Sequence, residues 1–234
     1  MKMEFDVLIN GTSCNSLGIL CVKRPNFPSP QKRYNEVEII GRDGKLYQDT
    51  GLYDDIDIPI EFNYMDQVQN WGERWRKAKS LFLKAKTIKL SDDSSVFWKV
   101  KKVYLSDNQR NSNRIGRFIV NFVIDPYTYL ESGNSLYTTD QITENIYELA
   151  KPDYLIEGEG ICTLTVNGNE MTANIGQNLT IDTYREVSYR TDDGTNNNIA
   201  VSGDYEGLFL PTGAVEISIT SGFELKIKPN WRCV

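Results

Sequence analysis

Seven carboxylates in three clusters have the strongest claim to chemistry: Asp54, Asp55 and Asp57; Asp92 and Asp93; Asp192 and Asp193. A pair of acids can hydrolyse a glycosidic bond, but only when held face to face across the sugar. Each cluster here lies beside turn residues, where Asp and Asn are wanted for bonding to their own backbone. The turn reading is therefore favoured at all three. "DDGTNNN" at 192–198 has a faint likeness to a calcium loop but lacks the spacing to a terminal bidentate Glu. The chain contains no histidine, which removes the commonest general base, the commonest metal ligand and every Ser-His or Cys-His nucleophile pair. Neither a phosphate-binding glycine loop nor a nucleophile elbow occurs. The expectation is a protein that is not an enzyme, with no cofactor and no metal.

Four cysteines, Cys14, Cys21, Cys162 and Cys233, match a zinc site in number but not in spacing, since none forms a C-x-x-C pair. Buried reduced thiols are the expected state. No run of about 18 apolar residues is present, so no membrane span is expected. "MKMEFDVLING" places acids where a signal peptide carries its apolar core, so export by the secretory route is not expected.

Charge is divided unevenly. Residues 1–130 carry 20 Lys+Arg against 16 Asp+Glu, a balance of +4, and residues 131–234 carry 6 against 16, a balance of −10; together these give −6. Two domains with different neighbours would produce such an asymmetry, as would chance. Nucleic acid is not an expected partner. The densest basic group, "ERWRKAK" at 73–79, falls on a predicted helix and reads as a solvated face, and the acidic second half would repel phosphates.

The elements that must position any site read as mainly β. The 13 Tyr, 9 Phe and 4 Trp, together with many Val, Ile and Thr, suit a pleated surface. "MEFDVLIN" and "LGILCV" predict two strands, followed by a connection carrying Pro25, Pro28 and Pro30. "EVEII" leads into "GRDG", where Gly41 and Gly44 tolerate positive φ and Asp43 can bond its own backbone. "IDIPIEFNY" sets Ile56, Ile58, Ile60, Phe62 and Tyr64 on one face, and Pro59 on the other suggests an edge or strand end. In "MDQVQNWGERWRKAKSLFLKAK", Met65, Val68, Trp71, Trp75, Ala78 and Phe82 recur at helical spacing, with Asp66 and Gln69 resembling a capping box and Gly72 weakening the interior. Trp71, Trp75 and Phe82 are expected to anchor the helix on the sheet, with ligand stacking by the Trp pair as the alternative. "VFWKVKKVYL" and "RIGRFIVNFVI" flank the polar loop "SDNQRNSN", and "DPYTYL" ends the unit. The second half predicts short strands ("ICTLTV", "LTIDT", "AVEISIT", "ELKIK") with turns at "NGNE" and "DDGTNNN", the rhythm of a β-sandwich. In "DQITENIYELA", Ile142, Ile146 and Leu149 suggest a helical turn or two.

The order of these pieces resembles the distal tail proteins (Dit) of bacteriophages with long, non-contractile tails. "GRDG" and "LYDDIDIPIEF" precede one amphipathic helix and a hairpin ending "FIVNFVIDPYTYL". "KPDYLIEGEGICTLTVNGNE", "LTIDTYREVSYR", "GDYEGLFLPTG" and "LKIKPNWR" follow. The resemblance spans essentially the whole chain, although no single motif is diagnostic. It implies a mainly β fold with one helix: a ring-forming, β-sandwich-like domain with a projecting hairpin over 1–132, and a galectin-like β-sandwich over 133–234. It further implies a homohexameric ring at the virion tail tip. The implied partners are the tail tube protein, a tail-associated lysin or hub protein and a receptor-binding protein. Gly41, Arg42, Asp43 and Gly44 become candidate subunit contacts. The rival reading is a carbohydrate-binding module that stacks sugars on Tyr205 or Trp231, although galectin-type recognition leans on a histidine.

Overall fold

The clearest alternation in the sequence becomes the middle of a sheet. In a computed structural model, which describes residues 5–110 and 112–234, Ile56, Ile58, Ile60, Phe62 and Tyr64 are buried while Asp57, Pro59 and Met65 are exposed. The chain divides into two units, one ending at Thr128 and the other spanning Tyr129–Cys233. Met3 and Glu4 of the first expected strand, and Asn111 of the polar loop, lie outside the described residues.

The first unit contains β1 (Val7–Ile9), β2 (Thr12–Ser13), β3 (Ile19–Cys21), β4 (Lys32–Glu38), β5 (Lys45–Tyr53) and β6 (Ile56–Met65). After α1 (Trp71–Leu83) come β7 (Thr87–Leu90), β8 (Asp93–Leu105), β9 (Gln109–Arg110) and β10 (Ile115–Leu130). The main sheet runs β2-β1-β7-β8-β10-β6-β3, with β9 beside β10, while β4 and β5 form a sheet of their own. β6 and β10 pair antiparallel without interruption from Ile115↔Met65 to Ile124↔Ile56. Because side chains alternate with period two, this register puts Phe118, Val120 and Phe122 on the same inner face as the β6 isoleucines.

α1 closes that face. Ala78 and Phe82 are fully buried, and Phe82 lies 4.7 Å from Phe62 between ring centroids. Trp75 meets Phe118 at 4.9 Å and Trp71 meets Tyr64 at 5.8 Å, both half-buried at the margin of the core. The helix begins later than the periodicity predicts. Met65 belongs to β6, held by its pairing with Ile115, and Met65 and Val68 are exposed. Asn70 precedes the helix without a side-chain cap. The expected capping box is absent, because Asp66 instead accepts bonds from the Gln67 backbone and from Arg74 Nε, both at 2.8 Å. Gly72 therefore falls in the first turn, not the interior.

Pro59 does not lie on a sheet edge as a whole, since β6 has β10 on one side and β3 on the other. The edge is local. β3 covers only Phe62–Tyr64, and Val22 N–H donates to the Glu61 carbonyl at 2.9 Å as the chain leaves. That bond shows that the backbone groups of odd-numbered β6 residues face this side, so Pro59 turns its missing donor toward the uncovered stretch. A strand approaching there would find no N–H, a device that discourages edge pairing.

The second unit is organised on one long hairpin. β11 (Glu144–Asn145) precedes β12 (Asp153–Val166) and β13 (Asn169–Asp182), which stay in register over fourteen pairs. Asn167 (φ 47°) and Gly168 (φ 84°) make the tight reversal, as "NGNE" predicts. β14 (Val187–Tyr189), β15 (Val201–Gly203), β16 (Gly213–Ala214), β17 (Ile217–Ile219), β18 (Glu224–Lys228) and β19 (Arg232–Cys233) complete the chain. β12 pairs with β18 through Asp153–Glu157 and with β17 through Leu164–Val166; β13 divides likewise between β14 and β15. Between the two halves of β12, Gly158 (φ 151°) and Gly160 (φ 108°) interrupt the regular strand, and a Cβ on Gly158 would lie 2.4 Å from the Phe223 ring. The same face is buried at both ends, from Tyr154 and Ile156 to Leu164 and Val166, so the sheet curls around one core.

Two expectations need correcting here. β12 and β13 are long strands, because the apolar alternation continues through the glycines that look like breaks. "DQITENIYELA" holds the end of a 3-10 turn (Thr139–Gln141) and the short strand β11 but no α-helix; Ile142 is buried but Ile146 and Leu149 are exposed, so they do not share a helix face.

Phe82→Ala removes the side chain that joins helix to sheet. Urea unfolding followed by tryptophan fluorescence should show a loss of roughly 3–5 kcal/mol with an unchanged slope. A loss below about 1 kcal/mol would contradict this packing.

Candidate functional site

Where β4 and β5 form a ribbon, every residue of β4 is exposed, and Thr50 and Tyr53 are the most sheltered of β5. The pairing runs Tyr34↔Asp49, Asn35↔Gln48, Glu36↔Tyr47, Val37↔Leu46 and Glu38↔Lys45, with an irregularity toward Lys32↔Tyr53 where Gly51 takes φ 71°. Alternation divides the ribbon into unlike faces. One carries Tyr34, Glu36, Tyr47 and Asp49, tied by Lys45–Glu36 (2.5 Å), Lys32–Asp49 (2.8 Å) and an edge contact between the two tyrosines at 6.3 Å. The lysine ammonium groups are held above their usual range by these carboxylates, and Asp49 is held below its own by Lys32. The other face carries Asn35, Val37, Leu46 and Gln48, and toward its base Arg33, whose charge is paired with Asp54. Val37 and Leu46 stand directly opposite one another, and beyond them Ile39 and the fully exposed Ile40 form the tip.

Exposed ion pairs contribute little, and a two-stranded hairpin alone in water is marginal at best. A ribbon of nine residues, ~30 Å long, whose exposed Ile39 and Ile40 stand beside a turn carrying Arg42 and Asp43, is thus an extended surface of mixed character.

Gly41, Arg42, Asp43 and Gly44 lie at this tip, all exposed, with φ of 83° at Gly41 and 77° at Gly44 and no atom within 4 Å of where a Cβ would sit. Their turn joins β4 to β5; "IDIPIEFNY" begins only after Asp54–Asp55. Trp71, Trp75 and Phe82 belong to the core, so the two groups of residues singled out in the sequence are not brought together. Val37, Ile39, Ile40 and Leu46 were missed as site residues. The signal was present in the adjacent "II", which reads equally well as a buried strand end.

The acid clusters resolve into local contacts. Asp54 pairs with Arg33, Asp55 with Lys101, and Asp92 with Arg24. Asp93 accepts from Ser95, Asp193 from the Thr195 backbone, which holds its carboxyl below the usual range, and Asp192 from Asn178 at 2.5 Å. Among the described residues no group of three or more acids or cysteines is arranged to hold a metal. Cys14 and Cys162 are buried, Cys21 and Cys233 half-buried, all unpaired, and burial pushes the Cys14 thiol far up.

A cleft of about 460 Å³ runs between Lys23–Pro28 and the outer side of β6, reaching Asp57, Pro59 and Glu61. Asp57 and Glu61 are four residues apart on one strand face, ~13 Å, too far to work on one glycosidic bond. Glu61 is also bonded to Arg117, which holds its carboxyl below the usual range, the wrong direction for an acid catalyst. The two rings of the rival carbohydrate-binding reading differ in burial, Trp231 being buried and Tyr205 half-buried. Trp231 is buried against Tyr147 at 5.9 Å, and Tyr205 packs on the second core.

This mainly β architecture, with one α-helix among the described residues, is similar in fold to a solved structure. The match is to the solved structure of SPP1 Dit (gp 19.1), described as a paradigm of the hub adsorption apparatus in phages infecting Gram-positive bacteria. The two align with a TM-score of 0.58 and 11% identity, covering 95% of this chain and 97% of that one. No protein-family model and no curated protein matches the chain.

Because Glu61 titrates below its ordinary 4.5 in the folded chain, its contribution is complete above that pH and disappears as pH falls through the folded value. Glu61→Gln should therefore lower the urea midpoint slightly at pH 6, and the gap from the unsubstituted chain should narrow at a pH well below 4.5. A gap of equal size at both pH values would exclude the Arg117 pairing as its origin.

Proposed function

We propose that the protein is a structural hub of a phage tail tip, acting by self-assembly and without catalysis. The observation that carries this reading is the exposed β4–β5 ribbon with its exposed Val37, Ile39, Ile40 and Leu46, attached to a unit that shares the fold of a known hub protein. On this reading residues 1–132 build a homohexameric ring and residues 133–234 form an outward, galectin-like sandwich. The ring joins the tail tube protein to a tail-associated lysin or hub protein and to a receptor-binding protein, all within the virion.

A ring requires two different surfaces on each subunit, related by a rotation that closes. The ribbon supplies one of them. Its exposed aliphatic residues would be a liability on a permanent monomer, and the charges on its other face keep it soluble until it is covered. The charge imbalance fits the same picture, since the near-neutral first unit faces copies of itself and the acidic second unit faces other proteins.

Light scattering and negative-stain microscopy of concentrated protein, alone and mixed with tail tube protein, test the proposal. Six-fold rings with a central opening are expected; a particle that stays monomeric under both conditions would overturn it.

Gly41→Val and Gly44→Val place a branched side chain on left-handed backbone at the ribbon tip. Each should reduce ring formation severely while lowering the thermal midpoint of the monomer by only a few degrees, the cost of the strained turn, because no core contact is touched. Parallel losses of assembly and stability would make the turn a fold element only.

A further inference from the structure

The sequence contains Asn followed by Gly at two places, and both form the same kind of turn. Asn10–Gly11 joins β1 to β2 with Ile9↔Thr12 as the closing pair, and Asn167–Gly168 joins β12 to β13 with Val166↔Asn169 closing it. The φ angles are 51° and 78° in the first turn and 47° and 84° in the second, the left-handed pair that a two-residue hairpin turn requires. All four residues are exposed, and among the described residues neither glycine N–H makes a hydrogen bond.

Such a pair carries a reactive main chain. Glycine has no side chain to shield its nitrogen, so once hydroxide removes the N–H proton that nitrogen can attack Cγ of the asparagine before it. The new N–Cγ bond closes a succinimide ring and the Cγ–Nδ2 bond breaks. Nδ2 takes a proton from water and leaves as ammonia, which restores the hydroxide. Water then opens the ring at either carbonyl, giving aspartate or isoaspartate. Nothing is oxidised or reduced.

The two turns differ in how the side chain is held. Asn10 is fixed by three bonds: Nδ2 donates to the Lys84 carbonyl at 2.9 Å, and Oδ1 accepts from the Lys86 N–H at 2.7 Å and the Thr87 N–H at 3.0 Å. These bonds dock the turn on the segment that leaves α1 and enters β7. Asn167 has one, from the Glu216 N–H to Oδ1 at 2.7 Å, and its Nδ2 bonds to nothing among the described residues. Ring closure requires Cγ to swing toward the glycine nitrogen, so the side chain must first release its partners. The leaving nitrogen is tied down at Asn10 and free at Asn167.

We infer that Asn167 is a site of spontaneous deamidation, converting with age to aspartate and isoaspartate, and that Asn10 is protected although its sequence and turn are the same. The inference does not depend on the hub reading. Its consequence falls on the second unit. Isoaspartate routes the main chain through the side-chain carbon, which adds an atom to the two-residue turn closing the β12–β13 ladder. Either product also adds a negative charge to a half of the chain that is already acidic.

The test holds full-length protein at mildly alkaline pH and physiological temperature and follows both peptides by mass spectrometry. Fragmentation that locates the amide-to-acid mass gain excludes Asp43–Gly44 and Asp193–Gly194, which isomerise without losing ammonia. Conversion at Asn167 should be about tenfold or more faster than at Asn10, the weight of two further hydrogen bonds. In guanidinium chloride, where both turns are unfolded, the two rates should converge. Equal or faster conversion at Asn10 in the folded chain would overturn the inference. So would a difference that persists in guanidinium chloride, since flanking sequence would then be its cause. An Asn167 that reacts only after unfolding would show that the turn protects itself, and would also overturn the assignment.

Discussion

The uninterrupted ladder between β6 and β10 is the constraint from which the rest of the first unit follows. Its ten pairs leave one possible assignment of faces: even-numbered β6 residues inward, odd-numbered outward. The inner set accepts Phe82 and Ala78 of α1, so the helix has a site only because the register holds. The outer set gathers Met65, Ile115 and Ile119 into one surface by the same geometry. A slip of β6 by one residue would expose Phe62 and bury Glu61 while Phe118 stayed inward, at a cost no surface interaction could offset. Core and outer surface are thus two consequences of one pairing.

The second unit solves the same problem with glycine instead of a helix. A flat hairpin of fourteen pairs cannot bury one face by itself, so β12 exchanges one partner for another midway, β18 below Gly158 and β17 above Gly160. The contact of Gly158 with the Phe223 ring leaves no room for a side chain there. Curling brings Ile156 and Leu164 into one cluster that also takes in Trp231. That cluster makes Trp231 part of the core, and so removes a residue that composition alone would offer to a sugar.

Much of this was legible in the sequence, and the failures share a cause. "IDIPIEFNY" and "RIGRFIVNFVI" announce strands because each buries a single face, and period two is then written plainly in residue type. Phe82 and Ala78 are readable for the same reason at helical period. Met65 was misread because it satisfies both periods at a junction, and only pairing with Ile115 decides between them. β5 was not read at all: "KLYQDTGLY" buries neither face, so it carries no alternation to detect. Val37 and Leu46 escaped for the related reason that an aliphatic pair on an exposed ribbon looks like a core strand. Sequence patterns record burial within one chain, and an exposed ribbon writes a pattern that lacks its second half.

That missing half bears on why the ribbon is kept charged on one side and aliphatic on the other. If both faces were charged, the ribbon would be soluble and would have nothing to gain from contact. If both were aliphatic, it could dock in either orientation, and a contact with two orientations cannot set a single rotation between subunits. The ion pairs Lys45–Glu36 and Lys32–Asp49 therefore contribute less by their own energy, which is small at such exposure, than by making one face unfit for burial against an apolar neighbour. Desolvating two such pairs would cost more than their attraction returns, which disfavours burial of that face. On the proposed reading, orientation fixes rotation and rotation fixes the number of subunits, so the charges of the ribbon help to determine the size of the ring.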